Sequence, residues 1–212
     1  MKALIIGATG ATGKDLVNVL LQDPGYTEVV IFVRRPTQII HPKLEEILTD
    51  FDDLEKVSGD INGDILFICL GTTLKAAGSK DEQRHIDYAI PLKFAELAKR
   101  NHITRMVLLS AYGASPTSKV FYSKLKGELD EGISKLVLDQ YIIFRPGLLL
   151  RKDSDRLGEK ISAGLLKFLN SLGLIRKFKP LPTSLLAEKL AKAPVSLADG
   201  KHIIALDEIF RF

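Results

Sequence analysis

Residues 7–13 read GATGATG and follow directly on the apolar run ALII at 3–6. Three glycines stand three apart, separated by Ala-Thr pairs, six residues from the start of the chain. KALII (2–6) is apolar and is stopped by glycine, which is the pattern of a short buried strand. ATGKDLVNVLLQD (11–23) sets Leu16, Val19 and Leu20 on one helical face. The glycines therefore occupy a turn from a first strand into a first helix. In that position Gly7 allows a tight turn, Gly10 lets the backbone approach a ligand, and Gly13 lets the helix lie close to the strand. Main-chain N–H groups and the positive end of the helix dipole then suit a diphosphate. Gly7, Thr9, Gly10, Ala11, Thr12 and Gly13 are the expected diphosphate-binding residues of a dinucleotide site.

The pattern repeats outward from this turn. EVVIFV (28–33), KLEEIL (43–48), DILFICL (64–70), RMVLLS (105–110) and QYIIF (140–144) read as further strands, with helices over about 80–101 and 118–135. Strands too apolar to face water on either side, alternating with helices, belong to a parallel sheet covered on both faces. Right-handed crossovers make it a doubly wound α/β sheet. Beyond Pro146 the periodicity loosens: 156–173 and 184–193 look helical and HIIAL (202–206) looks like a late strand. The expected organisation is one domain over 1–212, with 150–212 as a small, substrate-side, partly helical C-terminal element.

Composition narrows the function classes. The 212 residues carry 30 Lys and Arg against 26 Asp and Glu, a net charge of +4. This mild excess suits a partner bearing phosphates and lacks the clustered basic face of a duplex-binding protein. Cys69, the only cysteine, sits inside an apolar strand as a buried thiol. With no internal disulfide possible, a reducing compartment and a cytoplasmic location are expected. The four apolar residues before Gly7 are too short for a secretory signal, and no segment approaches a membrane span. His41, His85, His102 and His202 show no metal-ligand spacing and read as surface or capping residues, so no metal site is expected.

The end of the second strand selects the cofactor. An acid there would bind the ribose hydroxyls of NAD. The chain instead reads VRRP, and Arg34 and Arg35 suit a 2′-phosphate, so NADP(H) is expected; the alternative is a solvated arginine pair. After the third strand, Asp50 either accepts from an adenine amino group or caps a helix, and Phe51 borders the ring. After the fourth, the small-residue loop Leu70, Gly71, Thr72 and Thr73 lies at the same sheet edge. Ser110 ends the fifth strand. Tyr122 and Lys126 follow as Y-x-x-x-K, and i, i+4 spacing on a helix points a phenol and an ammonium the same way. A cation beside a phenol favours the phenolate, which suits acid–base chemistry on a substrate oxygen held by Ser110. Three other readings concern side chains with less to decide them. Arg145 either anchors the strand end by an ion pair or reaches the cofactor. Tyr112 and Ser115 either line the substrate pocket or are turn residues. Asp155 is read as an N-cap, and IRKFKP (175–180) as a solvated basic loop or a contact for an anionic substrate or partner.

Together, GATGATG, RRP, CLGTT, LLSAYGAS, YSKLKGE and FRPGLLL resemble the short-chain dehydrogenase/reductase superfamily. Within it, the chain is similar to the atypical group of the human Tat-interacting protein and its bacterial relatives. The resemblance covers about residues 1–150. It implies a Rossmann fold, bound NADP(H), a Ser110–Tyr122–Lys126 catalytic set with Lys126 also gripping the nicotinamide ribose, and a nicotinamide near Pro146 to Leu148. Many members place an Asn in the helix after the fourth strand, where its carbonyl binds a relay water. Here Asp87 stands there, with Pro91 four residues on and no N–H to occupy that carbonyl. The short C-terminal region implies a pocket that is small, shallow or completed by a second copy. The expected function is NADP(H)-dependent hydride transfer to or from a small carbonyl or alcohol, by a monomer or homodimer. A non-catalytic NADP(H) sensor acting on a protein partner and a nucleotide-sugar epimerase are the alternatives.

Overall fold

The computed structural model describes residues 1–150 and 179–212. The readings of a helix over 156–173, of Asp155 as a cap and of most of the basic stretch 175–180 lie outside them.

Seven strands form one sheet: β1 (Lys2–Ile6), β2 (Glu28–Val33), β3 (Leu44–Leu48), β4 (Ile65–Ile68), β5 (Arg105–Leu109), β6 (Gln140–Arg145) and β9 (Gly200–Ala205). Their order is β3-β2-β1-β4-β5-β6-β9, and every neighbouring pair is parallel. The first six strands have the order of a Rossmann sheet, and the direction of winding reverses between β1 and β4. The short strands β7 (Leu149–Leu150) and β8 (Leu181–Pro182) pair separately.

The sheet has an apolar cluster on each face. One holds Ala3, Ile5, Val29, Ile31 and Phe67 under α1 (Ala11–Gln22) and the C-terminal helix Thr183–Ser196. The other holds Leu4, Ile6, Val30, Phe32, Leu66 and Ile68 under later helices. There Phe32 and Phe94 meet edge to face, ring centres 4.8 Å apart. Alternate residues of β1 thus serve opposite faces, as a strand's period of two requires. The strands at the two edges depart from the expected all-apolar pattern. Leu48 in β3 and Ile203 in β9 are exposed, because an edge strand is covered less completely.

The C-terminal segment was expected as a substrate-side element, yet its described part completes the main sheet. β9 extends the β6 edge, and helix Thr183–Ser196 packs on α1. Polar contacts pin that helix: Tyr26 Oη donates to the Ala191 carbonyl at 2.8 Å, Thr183 Oγ1 to Asp15 Oδ2 at 2.6 Å, and Arg105 Nη2 to the Pro194 carbonyl at 2.5 Å.

The helix expected over 80–101 is interrupted. α2 (Leu74–Ala77) precedes it, then α3 (Lys80–Arg84) passes through a π-helical turn (His85–Ala89) into α4 (Ile90–Arg100). Pro91 at the start of α4 offers no N–H, and the Ile90 N–H reaches back five residues to the His85 carbonyl. A 3-10 helix at Leu54–Asp60 and a last turn at Glu208–Arg211 had no clear periodicity to announce them. α5 (Phe121–Ser134) carries the Y-x-x-x-K pair. Among the described residues, no helix is long and apolar enough to cross a membrane.

Candidate functional site

The glycine turn lies at the carboxyl edge of the sheet, where its backbone meets the strand next door. Gly7 has φ +83°, and a Cβ there would fall on the Cys69 backbone. A Cβ at Gly13 would fall on the Gly7 carbonyl, so α1 and β1 approach as closely as a missing side chain allows. Gly10 is the N-cap of α1; no side chain caps that end and its first turn carries no acid. The Gly10 N–H closes the turn on the Gly7 carbonyl at 3.0 Å, and the amides of the first helical residues after it are left for an anion, which is the arrangement a diphosphate needs. The residues present therefore fit a dinucleotide.

Two lobes of one cleft meet over this turn, sharing Gly10, Cys69, Leu70, Gly71 and Thr72. The lobe over β2 and β3 has a volume of about 500 Å³. Gly7, Thr9, Arg34, Asp50 and Phe51 line it, as does His85, which pairs with Asp52 at 2.7 Å across its mouth. Asp50 also accepts the Asp52 N–H at 3.1 Å, so it braces a turn and caps no helix. The lobe over β5 has a volume of about 630 Å³. Ala11, Thr12, Thr73, Ser110, Tyr122 and Lys126 line it, joined by Lys80, Gln83, Phe121 and Leu149.

Several of the expected residues line neither lobe. Arg35 lines neither lobe, because consecutive residues leaving a strand point to opposite sides. Pro146 and Leu148 line neither lobe; the Pro146 carbonyl holds the Tyr112 N–H and the Leu148 carbonyl holds the Leu181 N–H, while Leu149 enters the cleft. Gly13 lines neither lobe, and its missing side chain lets α1 pack on the Gly7 carbonyl. Ser115 and Tyr112 line neither lobe.

The three chemistry-bearing side chains come together for identifiable reasons. The Ser110 N–H donates to the Phe144 carbonyl at 2.8 Å, extending the β5–β6 ladder and holding Ser110 at the strand end. Gly127 lets α5 seat on the 115–116 backbone, where a Cβ would collide. Tyr122 is 41% exposed and so open to a substrate, whereas Lys126 is 3% exposed. The Lys126 ammonium stands 5.9 Å from the centre of the Tyr122 ring.

Two buried carboxylates complete the site. Asp87, presented by the π turn, has Oδ2 3.7 Å from Lys126 Nζ and accepts the Thr72 N–H on Oδ1 at 2.6 Å. Gln83, one turn earlier, donates to the Thr72 carbonyl at 3.2 Å. Burial pushes the Asp87 carboxyl above its ordinary range; Lys126, the Thr72 N–H and Gln83 oppose the shift. Asp87 was expected to act through its backbone, and it is the carboxylate that meets Lys126. Asp130 lies two turns beyond Tyr122 on the same face of α5 and pairs with Arg145 at 2.8 Å. That pair decides Arg145 as a strand-end anchor. Asp130 went unread in the sequence, although its i+4 spacing from Lys126 was the available signal.

A family model described as NAD(P)H-binding matches residues 7–164. The mitochondrial protein FMP52 of Candida albicans is 32% identical over 191 residues, 87% of this chain and 83% of its own. HTATIP2 of Rattus norvegicus is 34% identical over 173 residues, 79% of this chain and 70% of its own. Among solved structures, the oxidoreductase ylbE from Lactococcus lactis is similar with a TM-score of 0.70 at 20% identity, covering 95% of this chain and 89% of its own. The Bordetella bronchiseptica enzyme WbmH, in complex with NAD+, has a TM-score of 0.69 at 18% identity, covering 95% and 74%. At these identities the two structures speak to the fold alone. The expectation of a cytoplasmic protein is corrected here: FMP52 proteins from three yeasts, each more than 30% identical, are mitochondrial. A lone cysteine, half-buried at the cleft rather than in the core, and a weak positive charge do not distinguish one reducing compartment from another.

Proposed function

The chain belongs to the NAD(P)H-binding family, and from that premise we propose that it is an NADP(H)-dependent oxidoreductase that reduces a small carbonyl compound or oxidises the matching alcohol. The observation that carries this reading is that Ser110, Tyr122 and Lys126 line one lobe of a cleft whose floor is the glycine turn.

The amides of Ala11 and Thr12 would hold the diphosphate, and Arg34 the 2′-phosphate. Asp50 and Phe51 would border the adenine. Bound there, NADP(H) supplies or accepts the hydride. The Ser110 hydroxyl holds the substrate oxygen. Tyr122 gives its phenolic proton to that oxygen as the carbon is reduced, and takes it back in the reverse direction. Lys126 lies beneath and favours the transient phenolate through its charge. Leu109, Phe121 and Leu149 keep the lobe apolar, which strengthens that interaction.

The test is NADPH oxidation over a broad panel of aldehydes and ketones, by wild type and Tyr122→Phe. Tyr122→Phe should bind NADPH within about twofold of wild type and turn over about 10²–10⁴ times more slowly, the range of a lost general acid. Wild type that binds NADPH and oxidises none of it would replace this reading with that of a non-catalytic sensor. Interconversion of nucleotide sugars with no net NADPH consumed would replace it with an epimerase.

A further inference from the structure

The lobe over β5 carries an unbalanced charge. Among the described residues, Lys80 and Lys126 line it and no carboxylate does, whereas Asp50, Asp52 and Glu82 line the lobe over β2 and β3. Lys126 is buried, and Asp87 meets its charge at 3.7 Å. Lys80 opens α3, is exposed and has no ion pair among the described residues. Its neighbours in the helix do not offset it inside the lobe, because Glu82 lines the other lobe and Asp81 lines neither. An aromatic ring holds it there: Lys80 Nζ stands 5.5 Å from the ring centre of Phe121, the residue before Tyr122.

The same lobe gathers apolar side chains that water would otherwise cover. Leu74 of α2 and Val120 at the N-cap of α5 line it, and both are exposed. Phe121 and Leu149 continue the apolar surface inward. Large apolar side chains grouped in the open at a cleft mark a place where something apolar docks. A cation beside them, with no charge to meet it, describes the other end of the same ligand.

We propose, building on the reading of this lobe as the place where a carbonyl compound meets Tyr122, that Lys80 determines specificity and that the substrate is an apolar carbonyl compound whose far end is a carboxylate. The carbonyl lies at Ser110 and Tyr122, the chain lies against the apolar side chains, and the carboxylate reaches Lys80. A single ammonium matches a single negative charge; a phosphate dianion would leave one charge unmet beside an apolar wall. Recognition at two fixed points also requires a chain of matching length, which attraction by a surface lysine alone does not.

The test compares unbranched aldehydes that end in a carboxylate with their methyl esters, over increasing chain length, for wild type, Lys80→Gln and Lys80→Glu. At one chain length wild type should favour the acid over the ester in kcat/KM by about fivefold, the upper range for an exposed ion pair. Lys80→Gln should remove that preference and Lys80→Glu should reverse it. A preference equal at every length, or one that survives Lys80→Gln, overturns the proposal, as does a loss of NADPH affinity in its place, which would put Lys80 on the cofactor. A second measurement needs no turnover: calorimetric titration of octanoate and of octanamide into the NADPH-loaded protein. Octanoate should bind wild type about fivefold more tightly, and the two should bind Lys80→Gln alike. Equal or undetectable binding of both to wild type overturns the proposal. A protein that turns over no carbonyl compound, yet prefers octanoate through Lys80, would sink the oxidoreductase reading and keep the amphipathic site.

Discussion

Lys126 Nζ stands 3.7 Å from Asp87 Oδ2, with both side chains withdrawn from solvent. Lys126 arrives on α5 and Asp87 on the π turn, so the pair joins two elements that converge on the cleft. Among the described residues, only one Asp87 oxygen has a hydrogen-bond partner. A buried ion pair so incompletely satisfied contributes little net stability, and its value lies in holding the ammonium under Tyr122.

This pair gives the protein a specific pH dependence. Burial raises the Asp87 carboxyl in the folded state, whereas in the unfolded chain it titrates near ~3.9. Between those two values the folded state binds more protons than the unfolded one, so stability falls as pH rises. Asp87→Asn removes this contribution. The unfolding free energy of wild type minus that of Asp87→Asn should therefore decline as pH is raised above about 4, then level off beyond the folded-state value. Urea titrations of both proteins across pH would show it; a difference that grows with pH would contradict the assignment.

Gly7→Ala should abolish dinucleotide binding and lower stability by about 3 kcal/mol or more, since it combines a positive φ with a backbone collision at Cys69. Gly10→Ala is the contrasting case. Its Cβ would meet only the Gly7 carbonyl, at 3.3 Å, so it should weaken binding with a smaller change in stability. Thermal unfolding and NADPH titration of the two variants separate a folding glycine from a binding one.

Gly127→Ala should depress turnover more than cofactor binding. Its Cβ would collide with the 115–116 backbone and push α5 outward, carrying Tyr122 and Lys126 with it. A displacement near 1 Å at a reacting group costs roughly 10²-fold. The expected result is a fall of that order in kcat with NADPH affinity within a few fold; equal losses in both would mean that α5 does not set the reacting geometry.

Arg34→Glu should weaken NADPH binding about 10–100-fold, the value of a charge-assisted hydrogen bond of ~1.5–3 kcal/mol. NADH binding should change little, because only NADPH carries the 2′-phosphate. Arg35→Glu, at a position outside the cleft, should discriminate far less. Titration of both cofactors against both variants checks the assignment, and equal weakening of NADH and NADPH by Arg34→Glu would refute it.

Much of this was legible along the chain because the signals are local. A strand stopped by glycine, a helix with one apolar face, and Y-x-x-x-K on a single helix each depend on neighbours within a few residues. That is why β1, α1 and β2 were found almost to the residue, and why Ser110, Tyr122 and Lys126 were named together. The acidic partners were less accessible. Asp87 is picked out in the sequence through its backbone carbonyl, and only the π turn ahead of Pro91 shows that its carboxylate also meets Lys126.

The sequence by itself determined the doubly wound sheet and the bare turn, because backbone conformation and apolar period are properties of short stretches. Tertiary structure alone decided that Arg34 and not Arg35 lines the cleft, that the C-terminal strand closes the sheet edge, and that Arg145 clamps Asp130. Those relations span 15 to 168 residues of chain, as the Arg145–Asp130 and Thr183–Asp15 contacts do. No local pattern encodes them; they arise when packed elements bring distant side chains to within a few ångströms and exclude the water that would otherwise satisfy them.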